Sequence, residues 1–124
     1  MGWHSGNYYL TTAEMQDNAR EIALYAHAHG WRKIACAAIL GNMQAESGVN
    51  PGIWEMLQQF QGGYGLVQWT PYIKYSDWAI DNGYINWEDN GPAELARISY
   101  EADNNIQWFD NAELGDAGVA GCVR

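Results

Sequence analysis

The carboxyl group of Glu46 is the side chain in this sequence best placed for acid–base chemistry. It closes the apolar segment from Trp31 to Ala45, and Ser47-Gly48 follows at once. A carboxyl group at such a helix end is partly desolvated and lies at the negative end of the helix dipole, and both effects disfavour its ionised form. A carboxyl group that keeps its proton suits general acid catalysis. Position alone also fits a glutamate on a solvated helix end.

Tryptophan and tyrosine dominate the aromatic residues. The chain has seven Trp and eight Tyr against two Phe. These rings pack well in cores, but they also stack on sugars or contact partners, because one part is apolar and another forms hydrogen bonds. The composition therefore hints at a carbohydrate ligand.

The charge balance argues against nucleic acid and the apolar pattern against a membrane. Fifteen acidic and six basic residues give a net charge of −9, which offers nothing to attract a phosphate backbone. The longest apolar run, Ile34 to Leu40, is far shorter than the roughly 20 residues of a membrane-spanning helix, and no signal peptide is recognised. We expect a single domain over residues 1–124.

Two helices are predicted before the chain reverses at Pro51. Thr11 to Glu14 form a capping box, so the first helix is predicted over about Thr12 to His29, where Gly30 ends it. The next segment, Trp31 to Ala45, is apolar on nearly all faces and predicts a buried central helix. This helix should end near Glu46, because Ser47-Gly48 offers a left-handed C-cap and Pro51 follows.

The second half of the chain predicts a small β lobe and two further helices. The helical period is lost between Gly52 and Trp69, where a glycine-rich turn precedes the strand-like Leu66 to Trp69. Thr70-Pro71 predicts the start of a helix through Asp81, and Gly91-Pro92 starts another. Its stripe is Leu95, Ile98, Ala102, Ile106 and Phe109, and residues 110–124 are expected to form an irregular tail. The predicted class is α+β, mainly α, with a central buried helix and a small β-hairpin lobe.

Two segments give the chain a family resemblance. AILGNMQAESGVNPGIWE and GGYGLVQWTPYIKYSDW resemble the phage lysozyme-like domain of phage tail-tip lysins and some endolysins. They share the Glu-Ser and Gly-Leu-x-Gln signatures of goose-type lysozymes and lytic transglycosylases, here Glu46-Ser47 and Gly65-Leu66-Val67-Gln68. The resemblance covers roughly Gly30 to Trp108. It implies a lysozyme-like fold, muramidase-type activity on peptidoglycan, and Glu46 as the catalytic acid.

A second carboxylate commonly accompanies the acid in glycoside hydrolysis. Glu55 lies in the irregular segment and could face Glu46 across a cleft, whereas Asp77 lies within a predicted helix. Either could equally be a solvated surface carboxylate. Gln68 cannot be a nucleophile, but it can position a water or hold an N-acetyl group. Relatives with both signatures also work with a single essential glutamate.

The remaining candidates are substrate-binding residues. The segments expected to line the cleft contribute Trp54, Tyr64, Trp69 and Tyr72, for which sugar stacking and packing are balanced alternatives. Trp31, Trp87 and Trp108 are assigned to the core or to helix surfaces. Ser47 and Asn50 could bind sugar or cap the chain reversal after Glu46.

Metal ions, cofactors and a nucleophilic cysteine are not expected. His27 and His29 lie two residues apart on a helix, so they point to different faces and cannot chelate one metal, and His4 is far away in sequence. Cys36 lies in an apolar run and is expected to be a free, buried thiol rather than bridged to Cys122.

These observations predict a peptidoglycan-degrading glycosidase of the muramidase type, in a phage tail-associated lysin or an endolysin. It would act on the bond between N-acetylmuramic acid and N-acetylglucosamine. It would be virion-associated or released to the bacterial cell wall. The alternative is an inactive carbohydrate-binding or structural tail module with the same fold. Because bacterial walls are anionic, an acidic domain could depend on a phage tail, a wall-binding module or divalent cations.

Overall fold

The computed structural model describes residues 2–104, 106 and 107, and this part of the chain is mainly helical with one small hairpin. In chain order the elements are α1 (Thr12–Ala28), α2 (Lys33–Ser47), β1 (Trp54–Met56), a 3₁₀ turn (Leu57–Gln59), β2 (Gln61–Tyr64), α3 (Ile73–Asp81) and α4 (Gly91–Asp103). The predicted α+β, mainly α class is confirmed. No helix in the described residues is long and apolar enough to cross a membrane.

Helix α1 begins at the predicted capping box. The Glu14 backbone N–H donates to Thr11 Oγ1 at 3.2 Å, and the Thr11 N–H donates to Glu14 Oε1 at 2.9 Å. The helix ends at Ala28 and buries Asn18, Ile22 and Ala26 against the rest of the fold.

Helix α2 begins two residues later than predicted and buries one stripe. Ala35, Ile39, Met43 and Ser47 are buried at a spacing of four, whereas Ile34 is 45% exposed. Burial on nearly all faces is therefore not found, because the described elements cover only this stripe. Gly48 ends the helix in the left-handed conformation, with φ 63°, as its position predicted. The Cys36 thiol is free as expected, but it is partly exposed rather than buried, and Cys122 lies outside the described residues.

The predicted β lobe is present. The glycine-rich segment predicted to be a turn forms strand β2, and the segment predicted to be a strand forms a turn. Strands β1 and β2 pair antiparallel, with Trp54 opposite Tyr64. The segment predicted as a strand, Leu66 to Trp69, is instead mostly a tight turn: Gly65 and Gln68 have φ of 84° and 55°, and the Gln68 N–H donates to Gly65 O at 3.1 Å. The apolar residues of this segment are typical of a strand, but here they reflect the burial of Leu66 in the core.

Helices α3 and α4 form the other side of the fold. Helix α3 ends at Asp81 as predicted but starts at Ile73, so the predicted cap at Thr70 is wrong: its hydroxyl donates to Gln68 O at 3.1 Å. Helix α4 starts at Gly91, where Asn90 Oδ1 accepts from the Ala93 N–H at 3.0 Å. Its residues Leu95, Ile98 and Ala102 are buried as predicted, Ile106 is exposed, and Phe109 lies outside the described residues.

The core joins the β lobe to the helices through aromatic rings. Tyr75 stacks on Trp69, with 4.8 Å between ring centroids, and lies parallel to Tyr64 at 6.3 Å. Trp31 and Trp87 are partly buried against this core, as their assignment required, and Trp108 lies outside the described residues.

Candidate active site

An open cavity of about 350 Å³ lies between the end of α2 and the hairpin. It brings together Glu46, Glu55 and Gln68, which come from α2, β1 and the turn after β2. The complete lining is Tyr9, Gln44, Ala45, Glu46, Ser47, Gly48, Ile53, Trp54, Glu55 and Gln68. The fold thus places Glu46, one of the two candidates for the second carboxylate and the predicted amide at one cleft.

Glu46 lies in the last turn of α2 with its side chain exposed. It forms no hydrogen bond or ion pair with other residues that the structure describes, so the carboxyl group is open to the cleft. The partial burial expected from the sequence is not found, because Glu46 lies off the buried stripe of α2.

Ser47 connects the end of α2 to the turn after β2. Its side chain is buried, and Oγ lies 3.0 Å from Met43 O and 2.8 Å from Leu66 O, within hydrogen-bonding distance of both carbonyls. The Asn50 N–H donates to the same Oγ at 3.3 Å. These contacts favour the structural alternative for Ser47: it fixes the backbone beside Glu46.

Glu55 is exposed on β1, and the hairpin holds it in place. Its Oε1 accepts the Gly63 N–H at 3.0 Å. A Cβ at Gly62, where φ is 83°, would lie 2.5 Å from that oxygen. Glycine at this position therefore allows the carboxylate to lie across the hairpin toward the cavity. The other candidate, Asp77, is exposed on α3 and does not line the cavity.

Gln68 reaches the cavity from a strained position. Its backbone is left-handed, and its amide nitrogen donates to Ile53 O at 3.1 Å and Gly65 O at 2.9 Å. The amide group is thus oriented by the lobe's backbone, and Oε1 is left as the acceptor for a ligand.

The predicted aromatic residues divide between the cavity and the core. Trp54, 8% exposed, lines the cavity. Tyr72 lies behind it, with ring centroids 5.2 Å apart, but does not line the cavity itself. Tyr64 and Trp69 are buried, which favours packing over sugar stacking: the Asp89 N–H donates to Tyr64 Oη at 2.9 Å.

Asn50 is buried and is used by the backbone around it. Its Nδ2 donates to Gly6 O at 2.9 Å and Tyr8 O at 2.7 Å, and its Oδ1 accepts the Gly52 N–H at 2.9 Å. This arrangement favours the structural alternative for Asn50, because its polar atoms fix the N-terminal segment against the chain reversal.

A fully buried carboxyl group behind the cleft, Glu94, was not predicted from the sequence. Its Oε1 accepts the Leu66 N–H at 2.8 Å, and its Oε2 has no hydrogen-bond partner in the described structure. Burial raises the pKa of Glu94 well above its ordinary value, and the charge of Asp89 adds to this. The signal was present, because Glu94 precedes Ile98 by four residues and so lies on the predicted apolar stripe.

Glu101 is a second buried carboxylate, and it explains the orientation of Trp69. The Trp69 Nε1–H donates to Glu101 Oε2 at 2.9 Å, and Arg97 Nε donates to the same oxygen at 3.0 Å. The indole is therefore fixed toward α4 and away from the cavity.

Two other features are distinct from this cleft. A larger cavity of about 440 Å³ lies between α1 and α2, but it has no ionisable side chain in its lining. Within the residues that the structure describes, no group of three or more His, Cys, Asp or Glu side chains could hold a metal ion.

The fold and the cleft define a lysozyme-like class of protein: a mainly helical domain in which a glutamate at a helix end faces a β hairpin. The model of the phage tail lysozyme family matches residues 17–119, and the chain belongs to that family. The resemblance recognised in the sequence is confirmed.

A curated relative gives a second comparison. Morphogenesis protein 1 of Bacillus phage B103 is 46% identical over 110 residues, which are 87% of this chain and 30% of the relative. The chain thus spans less than a third of the length of the relative it matches.

Proposed function

We propose that this chain is a peptidoglycan-degrading glycosidase of the muramidase type, which cleaves between N-acetylmuramic acid and N-acetylglucosamine. The observation that supports it is the meeting of Glu46, Glu55 and Gln68 at one open cavity. Membership of the phage tail lysozyme family agrees with this reaction class.

Glu46 is the general acid in this proposal. Its proton passes to the glycosidic oxygen as the bond from that oxygen to the anomeric carbon breaks, so the leaving sugar departs as an alcohol. Glu55 is the candidate second carboxylate. As a base it would take a proton from the attacking water, and as a nucleophile it would form a glycosyl ester that water then hydrolyses. On the first route Glu55 releases the proton it has taken to solvent and Glu46 is reprotonated from solvent; on the second, Glu46 takes a proton from the water that hydrolyses the ester.

The other residues have positioning roles. Gln68 offers Oε1 to a water or to the N–H of an N-acetyl group, because its nitrogen is already bound to backbone carbonyls. Trp54 forms an apolar wall. Ser47 acts indirectly, by fixing the end of α2 against the turn.

The alternative is a carbohydrate-binding or structural tail module without catalysis. Two observations favour this alternative: the relative is named a morphogenesis protein, and the chain has a net charge of −9. In either case we propose association with the virion or delivery to the bacterial wall, assisted by a phage tail or a wall-binding module.

Wall-clearing assays on the wild type and Glu46→Gln test the acid assignment. The amide keeps the shape but cannot donate the proton, so clearing should fall at least about a hundredfold with circular dichroism unchanged. Glu88→Gln, an exposed carboxylate outside the cavity, is the matched control and should clear normally. Equal clearing by Glu46→Gln refutes the acid role, and no clearing by the wild type favours the binding module.

Mass spectrometry of digested peptidoglycan then identifies the attacking group. Reducing muramic acid ends indicate hydrolysis by water, whereas anhydro ends indicate attack by the muramoyl 6-hydroxyl. Loss of activity in Glu55→Gln would assign the second carboxylate, and unchanged activity would leave Glu46 as the single essential one.

A further inference from the structure

The cavity beside Glu46 continues into a second depression on the hairpin. This second cavity, of about 400 Å³, is lined by Tyr9, Glu55, Met56, Leu57, Gln58 and Gln59. Tyr9 and Glu55 line both cavities, so together these form one groove from the end of α2 to the 3₁₀ turn. A polymer entering the first cavity has a path into the second.

Tyr9 lies at the junction of the two cavities with its side chain 80% exposed. The backbone before it is fixed: Tyr8 O accepts from Asn50 Nδ2 at 2.7 Å, and Asn7 Oδ1 accepts the Trp54 N–H at 3.0 Å. Asn7 Nδ2 also donates to a carbonyl of the 3₁₀ turn at 2.6 Å. The ring is therefore presented to solvent from an anchored segment, where its exposure brings no packing energy to the fold.

We infer that Tyr9 is a sugar-binding residue whose ring stacks on a pyranose of the glycan strand between the two cavities. Its phenol ring offers an apolar face to the apolar face of a sugar. Next to it, the amides of Gln58 and Gln59 can exchange hydrogen bonds with hydroxyl and N-acetyl groups. This inference rests on the proposed function for the identity of the strand.

The N-terminal segment that carries Tyr9 lies outside the residues matched by the family model. Tyr9 precedes the residues that the family model matches, 17–119, and neither signature contains it. The inference therefore concerns how far bound glycan extends, and it involves no catalytic step.

Binding of β-1,4-linked N-acetylglucosamine oligomers, measured by calorimetry, tests the inference. All proteins are made in the Glu46→Gln background, so that cleavage does not interfere. We expect Tyr9→Ala to weaken binding of a hexamer by about threefold to tenfold, the value of a lost aromatic contact, and to affect a trimer less. Tyr9→Trp should bind the hexamer like the parent. Tyr8→Ala, the neighbouring exposed tyrosine outside both cavities, is the matched control.

The outcomes separate this inference from the proposed function. Equal hexamer affinity in Tyr9→Ala and the parent overturns it, as does failure of the parent to bind the hexamer. Equal weakening of trimer and hexamer also overturns it, because the ring would then serve the first cavity alone. Glycan binding that depends on Tyr9, in a wild type that does not clear walls, supports the inference while the enzymatic function fails.

Discussion

The buried carboxyl group of Glu94 predicts a pH-dependent stability that one substitution removes. The folded chain raises the pKa of Glu94 well above its ordinary value of 4.5 by burying it. Below that ordinary value both the folded and the unfolded chain hold the proton, and the group does not make the free energy of unfolding depend on pH. As the pH rises, only the unfolded chain loses the proton, so folding becomes less favourable until the pH passes the folded-state pKa.

The size of the effect follows from the linkage slope. One group contributes about 1.36 kcal/mol per pH unit to the free energy of unfolding once the unfolded carboxyl is ionised. Between the ordinary pKa and the folded-state pKa, the wild type therefore loses stability through Glu94 with each further pH unit. In Glu94→Gln this loss is absent, because the amide does not titrate and its oxygen still accepts the Leu66 N–H.

Urea unfolding followed by tryptophan fluorescence, at about pH 5, 6 and 7, measures this difference. The stability of Glu94→Gln relative to the wild type should increase along the series, by at most about 1.36 kcal/mol for each pH unit. The exposed Glu88→Gln is the control for the loss of one carboxyl group at the surface. A constant difference between Glu94→Gln and the wild type would refute a protonated Glu94. A stability of Glu94→Gln that falls relative to the wild type as the pH rises would show that the Glu94 carboxylate is ionised in the folded chain.

Three further substitutions test the placement of the cleft residues. Trp69→Ala should lower the free energy of unfolding by about 3–5 kcal/mol in urea, because the indole is buried and hydrogen-bonded to Glu101. A stable variant with only a glycan-binding defect would show instead that Trp69 lines the cleft. Gly65→Ala should destabilise more than Gly83→Ala, since both have positive φ but only Gly65 faces a buried carboxylate, 2.5 Å from the added Cβ; equal thermal shifts would contradict that contact. Gln68→Ala should reduce the rate of wall clearing and lower stability by about 1–2 kcal/mol, because two backbone carbonyls lose their donor; unchanged clearing would remove Gln68 from the site.

Local signals were sufficient to predict the helices. The capping box at Thr11, the left-handed Gly48 and the Gly91-Pro92 start each depend on neighbouring residues, and the structure has all three. The same kind of signal failed at Thr70, because α3 starts only at Ile73, beyond the reach of a cap at that position.

The candidate site was predictable in its charged residues and not in its aromatic ones. Glu46 and Glu55 flank a chain reversal, and a reversal brings its two sides together. The orientation of Trp69 toward α4 depends on a distant partner, Glu101, which no local pattern reveals. Tyr9 reaches the cavity because Asn7 and Asn50 anchor the segment before it, and these contacts join residues more than forty positions apart.

The Gly-Leu-x-Gln segment has a physical reason for each of its named residues. Gly65 is required twice, by its φ of 84° and by the carboxyl group of Glu94 against its Cα. Leu66 fills the core while its N–H binds Glu94 and its carbonyl binds Ser47, next to Glu46. The turn then reverses the chain so that Gln68 points to the cavity. A strand would alternate its side chains between two faces and could not fix the turn to both α2 and α4. The turn therefore sets the distance between the candidate acid and the amide across the cleft.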